Sequence, residues 1–182
     1  MPATAMRNNQ SGVFMALRRI ITKEDPSLYK KSHPVTQFND RIHTLMDDLR
    51  DTLLNSDGVG LAAPQVGVLR KACVVLETNV PEGEEEYIIE LINPEIISSD
   101  GEQTDNEGCL SFPGEYGEVS RPMHVVVKAF DRYGKEFTVE GEGLTARCYC
   151  HEIDHLNGVV FPQLATKMFT VDDMDDEEED ED

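Results

Sequence analysis

His151-Glu152-Ile153-Asp154-His155 constrains this chain more than any other stretch. An α-helix turns once in about 3.6 residues, so residues four apart share a face, and His151 and His155 stand where a single metal ion bridges them. Glu152, about 100° further round, reaches the neighbourhood of such an ion without being a ligand. Taken alone, the same five residues also describe a surface helix with two titrating histidines. What separates the two readings is a third ligand, because catalytic sites of this kind use three protein groups and keep one position open.

The near candidates fail. One metalloprotease pattern continues to a third histidine six residues on; Gly158 falls in register, but Phe161 occupies the ligand position. Another takes a glutamate some way downstream, where the only acids belong to the tail that begins at Asp172. Cys148 to His155 spans seven residues, about 10 Å of helix rise, too far for one ion to hold both together with His151. Cys148 and Cys150 therefore read as core or pocket-lining residues. A ligand from elsewhere is required, and Cys109, in Glu107-Gly108-Cys109-Leu110-Ser111, is the best candidate. It follows the turn-rich Ser98 to Asn106 and reads as a loop residue. A further segment, Gly58-Val59-Gly60-Leu61-Ala62-Ala63-Pro64-Gln65, has two glycines that permit close backbone approach but reads by itself as a simple turn.

Around these segments the pattern is that of one α+β domain. Phe38, Ile42, Leu45, Met46, Leu49 and Leu53 fall at helical spacing, and Asn55-Ser56-Asp57-Gly58 is a stop signal. Short apolar runs with strand character follow at Cys73–Leu76, Tyr87–Ile92 and Val125–Phe130; the last joins Lys135–Glu140 through Asp131-Arg132-Tyr133-Gly134 as a hairpin. After Gly143 the pattern turns helical until Asn157-Gly158. Helix, several strands, then helix, with hairpins in place of regular βαβ crossovers, predicts an α+β domain. At 182 residues the chain suits one catalytic domain, expected over 16–168, after a leader or extension at 1–15 and before an acidic, disordered tail at 169–182.

Charge excludes other classes. The formal net charge is −20, half of it in the stretch from Asp172 to Asp182, which holds ten acids and no base, and this argues against direct nucleic-acid binding. No run approaches the roughly 18 apolar residues of a membrane span. The basic N-terminal stretch is too interrupted for a secretory signal, so a cytoplasmic chain with its four cysteines as thiols is expected.

Together the three segments resemble peptide deformylases of the bacterial type: GxGLAxxQ at 58–65, EGCLS at 107–111 and HExxH at 151–155, in that order, within a resemblance that covers roughly residues 16–167. The resemblance implies an α+β fold of mixed or antiparallel sheets packed around the central histidine-bearing helix, with an N-terminal helix, and hydrolysis of the N-formyl group from the N-terminal formylmethionine of newly made polypeptides, with release of formate. It makes Cys109, His151 and His155 the metal ligands, with water as the fourth group, and Glu152 the residue that moves the proton. The side-chain amide of Gln65 and the backbone N–H of Leu110 become the donors to the formyl oxygen. Gly60 takes part in binding the peptide as an added strand, while Val59, Leu144 and Cys148 line the methionine pocket. Glu107 pairs with Arg121 to brace the cysteine segment. Ligand type alone points to zinc; the resemblance implies one divalent ion, Fe2+ in the cell, with Ni2+, Co2+ or Zn2+ in preparations. The partners implied are N-formylmethionyl nascent peptides and, as a further candidate, the ribosome, with no membrane. Two classes compete: an HExxH zinc endopeptidase, whose third ligand lies outside Cys109, and a non-catalytic metal-binding module, which gains nothing from Glu152.

Overall fold

The apolar spacing read from Phe38 becomes a helix, α1 (Asp40–Leu54), in a computed structural model that describes residues 17–173. The expected leader at 1–15, and the acidic stretch beyond Asp173, lie outside the described residues. Asn39 caps α1 by accepting a bond from the Arg41 N–H at 3.2 Å, which satisfies one of the amides that a helix start leaves without a partner. Ile42, Leu45, Met46, Leu49 and Leu53 are buried against Leu61, Val74 and Ile92. Leu49 is fully buried there, so Leu49→Ala is expected to cost about 2–5 kcal/mol through lost transfer energy and a cavity. Urea unfolding checks this, and a loss below about 1 kcal/mol contradicts the packing described.

Among the described residues eight strands form two sheets. Strands β1 (Gly60–Ala62), β2 (Ala72–Glu77), β3 (Tyr87–Asp100), β6 (His124–Phe130) and β7 (Glu136–Glu142) pair antiparallel in the order β1-β2-β3-β6-β7. Strands β4 (Gln103–Cys109), β5 (Phe112–Arg121) and β8 (Lys167–Thr170) form the second sheet, also antiparallel, with β5 in the middle. The expected hairpin is the β6–β7 pair; Asp131 closes its turn by accepting from the Tyr133 and Lys135 N–H groups, each at 2.9 Å. The second helix, α2 (Leu144–Leu156), runs between the sheets with most of its residues buried. Among the described residues no helix is long and apolar enough to cross a membrane.

Two expectations differ from the structure. Ser98 to Asn106 is not mainly turn: β3 continues to Asp100 and β4 begins at Gln103, leaving Gly101, at φ 66°, and Glu102 as the connection. These strand ends are polar because both faces are largely exposed, so no apolar alternation marks them. At the other end, β8 runs across the boundary expected at residue 168, and Asp173 accepts from the Thr170 N–H at 2.6 Å and from its hydroxyl at 2.8 Å.

Candidate metal and catalytic site

Cys109 is the last residue of β4, not a loop residue, and a register irregularity between Gly108 and Cys109 turns the strand into a tight connection to Phe112. This brings its thiol to α2. Cys109 Sγ lies 3.3 Å from His155 Nε2, which lies 3.1 Å from His151 Nε2, and the three ligand atoms fall within 4.8 Å of one another. Bonds of about 2.0–2.3 Å to one tetrahedral ion put ligand atoms roughly 3.3–3.8 Å apart, so the set fits such an ion after small adjustments. Two further observations agree. His155 Nδ1 and Glu152 Oε2 are buried without a hydrogen-bond partner among the described residues, and burial together with the charge of His151 pushes His155 well below its usual range, toward the neutral form a ligand needs. By contrast, burial pushes the Cys148 thiol up to about 12 and that of Cys150 up to about 11, so both remain neutral.

Glu107 holds one of the imidazoles. Its Oε1 accepts from His151 Nδ1 at 2.5 Å, which fixes the tautomer and leaves Nε2 facing Cys109 and His155. Arg121 donates to both carboxylate oxygens, at 3.1 and 2.7 Å, and its third contact reaches Asp154 Oδ2 at 2.6 Å. The Glu107–Arg121 pair expected from the sequence is therefore bidentate and buried. Burial alone would raise the Glu107 carboxyl; the bonds from His151 and Arg121 outweigh it and hold the group well below the usual carboxylate range.

A cleft of about 460 Å³ opens beside the three ligands, and Val59, Gly60, Leu110, Leu144, Cys148 and Glu152 line it. Leu144 stands half-exposed at its rim. Glu152 is 3% exposed, and burial pushes its carboxyl up to about 7, opposed by His151. Gln65, on a short 3-10 turn after β1, accepts from the Ala62 N–H at 2.9 Å, which aims its amide nitrogen at Cys109 Sγ, 3.4 Å away, and Ser111 Oγ, 3.2 Å away. Every site residue named from the sequence thus meets at this one place. Sequence reasoning missed Ser111, Tyr116 on the cleft wall, and Arg147. For Arg147 a signal existed: it stands one turn before His151 on the same face, which a buried imidazole must share.

Gly60 is required here by space. A Cβ at this position would collide with Glu152 Oε1 and lie 2.8 Å from its Cδ. Gly60→Ala is expected to displace the carboxylate and lower kcat/KM by about 10²-fold while metal content stays unchanged, since a misplacement of about 1 Å costs that much. Steady-state kinetics beside metal analysis check it.

The geometry has counterparts among known proteins. The polypeptide deformylase family model matches residues 17–171. A peptide deformylase of Caldicellulosiruptor bescii is 54% identical over 147 residues, 81% of this chain and 84% of its own. Peptide deformylase 1 of Bacillus subtilis is 45% identical across 90% of this chain and 99% of its own. A crystal structure of a peptide deformylase from Legionella pneumophila superposes with a TM-score of 0.75 at 46% identity, covering 83% of this chain and 87% of that one. A class I type b enzyme from Acinetobacter baumannii, solved with Met-Ala-Ser bound, gives 0.75 at 31% identity over 82% of this chain and 98% of that one. With likeness of this extent in sequence and in backbone, the chain belongs to the peptide deformylase family.

Proposed function

We propose that Cys109, His151 and His155 hold one divalent metal ion, and that Glu152, Gln65 and Leu110 act beside it in the reaction of this family, the removal of the N-formyl group from the formylmethionine of nascent peptides. The observation that carries this is the meeting of a thiol from β4 with two imidazoles of α2 at the head of a cleft that also holds a buried carboxylate. Such an ion would supply Lewis-acid chemistry, lowering the pKa of a water to about 7 and polarising a carbonyl.

The chain's own groups do the rest. Glu152, buried beside the ligands, takes the proton of the attacking water and hands it to the methionine nitrogen as the C–N bond breaks, so that an amine and not an amide anion departs. The Gln65 amide and the Leu110 backbone N–H donate to the formyl oxygen as it gains charge; each such donor is worth about 10²–10³ in rate. β1 and β4 are edge strands of their sheets and both border the cleft, so an extended peptide adds to them as a strand. Val59, Leu144 and Cys148 take the methionine side chain, a role that suits a neutral thiol. The ion is Fe2+ in the cell, which the thiolate and imidazole donors accommodate as they do Ni2+, Co2+ or Zn2+. A cytoplasmic chain meets its substrate at the ribosome, where the formylated terminus is made.

Formate release from formyl-Met-Ala-Ser tests the reading, run with iron under low oxygen and again with nickel. Release is expected with both metals, and none from a peptide with a blocked, unformylated terminus. Cleavage of internal bonds without formate release would replace this reading with an endopeptidase.

A further inference from the structure

The three candidate ligands come from two bodies with separate apolar cores. α2 gives its apolar side chains, Cys148, Tyr149, Ile153 and Leu156 among them, to the core of the first sheet. The second sheet, which carries Cys109, keeps its own cluster of Phe112, Val119, Val160 and Phe161. α2 meets that sheet and its cluster through the stacking of His151 on Phe161 and through a largely buried ionic layer of Glu107, Arg121, Asp154 and Arg147, in which Arg147 is the member of α2 bonded to both β4 and β5.

Arg147 is 5% exposed and precedes His151 by one helical turn. Its Nη1 donates to Glu107 Oε2 and to the Val119 carbonyl, each at 2.9 Å, and its Nη2 donates to the Gln103 carbonyl at 3.4 Å. One guanidinium on the histidine helix is thus bonded to β4, to β5 and to the carboxylate that orients His151. Charged groups are seldom fully buried unless paired, and in some proteins such pairing fixes a geometry that apolar packing leaves free. Here the free coordinate is the placement of α2 along β4, and that placement sets how far the Cys109 thiol lies from the two imidazoles.

We propose that Arg147 is a positioning residue for the metal centre: by clamping α2 to β4 and β5 and by sharing Glu107 with His151, it holds the helix-borne imidazoles in reach of the strand-borne thiol. It acts through Glu107 and the two strands. Lysine does not replace it, because a single ammonium lacks the planar fork that spans a carboxylate and two carbonyls. The inference rests on the assignment of Cys109, His151 and His155 as ligands, not on the reaction they serve.

The test compares wild type, Arg147→Met and Arg147→Lys as cobalt-loaded proteins. Chelator competition gives the metal dissociation constant, and visible absorption reports the thiolate-to-cobalt charge transfer and the ligand geometry. Arg147→Met is expected to weaken cobalt binding by about 10–100-fold, the usual effect of losing a group that orients a ligand. Its charge-transfer band is expected to weaken, and kcat for formyl-Met-Ala-Ser to fall while KM stays within about twofold. Arg147→Lys, which keeps the buried charge and serves as the test if the methionine variant does not fold, is expected to recover part of the affinity but remain at least about threefold weaker. Unchanged affinity and absorption in a folded variant overturn the proposal. Should loaded wild type release no formate, the functional reading falls, while the binding comparison still decides the role of Arg147.

Discussion

Cys109→Ala is expected to purify nearly free of metal and without deformylase activity, while its fold is retained. The thiol is one of three donors and the only one from the second sheet. Its loss leaves His151 and His155 facing each other at 3.1 Å with no partner opposite. Changes to groups that merely orient a ligand already weaken binding by about 10–100-fold, so loss of the ligand itself exceeds the upper end of that range. Cys109→Ser separates size from chemistry: the hydroxyl fills the same space but stays protonated at neutral pH and is a hard, weak donor, so it rescues little. The fold survives because the strand pairing and the Phe112–Phe161 contact beside the thiol do not involve its sulfur. Metal analysis after dialysis, with circular dichroism for the fold, decides. Near-normal metal content in Cys109→Ala would place the third ligand elsewhere and revive the endopeptidase alternative.

The helices were legible because their information is local. In α1 the spacing of Ile42, Leu45, Met46, Leu49 and Leu53 encodes a face, and in α2 the spacing of His151 and His155 encodes a ligand pair. Cys109 is a different case. Nothing in its own neighbourhood distinguishes it, since its role arises from contact with a helix 46 residues away; exclusion of the nearer ligands made it a candidate and the order of the three motifs singled it out. The polar half of β3 and the start of β4 went unread because exposed strands carry no apolar alternation, and pairing alone defines them. Arg147 carried one local signal, its place one turn before His151, but its partners were not legible. A buried arginine runs against the tendency of its residue type, and its acceptors lie 28, 40 and 44 residues away in sequence. Local pattern thus located the side chains that would do chemistry, while the polar contacts that hold them in register belong to the tertiary structure.

Glu152→Gln and Glu152→Ala are expected to keep the metal and lose the reaction. Glu152 Oε2 is buried with no partner among the described residues, so its removal breaks no ordered bond there. A positioned acid–base group contributes about 10²–10⁴ in rate, so kcat is expected to fall by that factor, which corresponds to about 3–5 kcal/mol of barrier. KM for formyl-Met-Ala-Ser is expected to change little, because the methionine pocket and the strand edge are untouched. The glutamine variant is the sharper test, since it keeps the volume beside Gly60 and removes only the capacity to carry a proton. A second consequence appears in the metal-free protein. Burial raises the carboxyl from 4.5 to about 7, so the folded state holds a proton that the unfolded state releases. Stability attributable to this group is complete below about pH 4.5 and is lost as pH rises through about 7. Glu152→Gln is expected to remove that part of the slope, as thermal unfolding of the metal-free proteins at pH 5 and pH 8 would register. Loss of metal along with activity would instead make Glu152 a ligand, and retention of activity would assign the proton to another group.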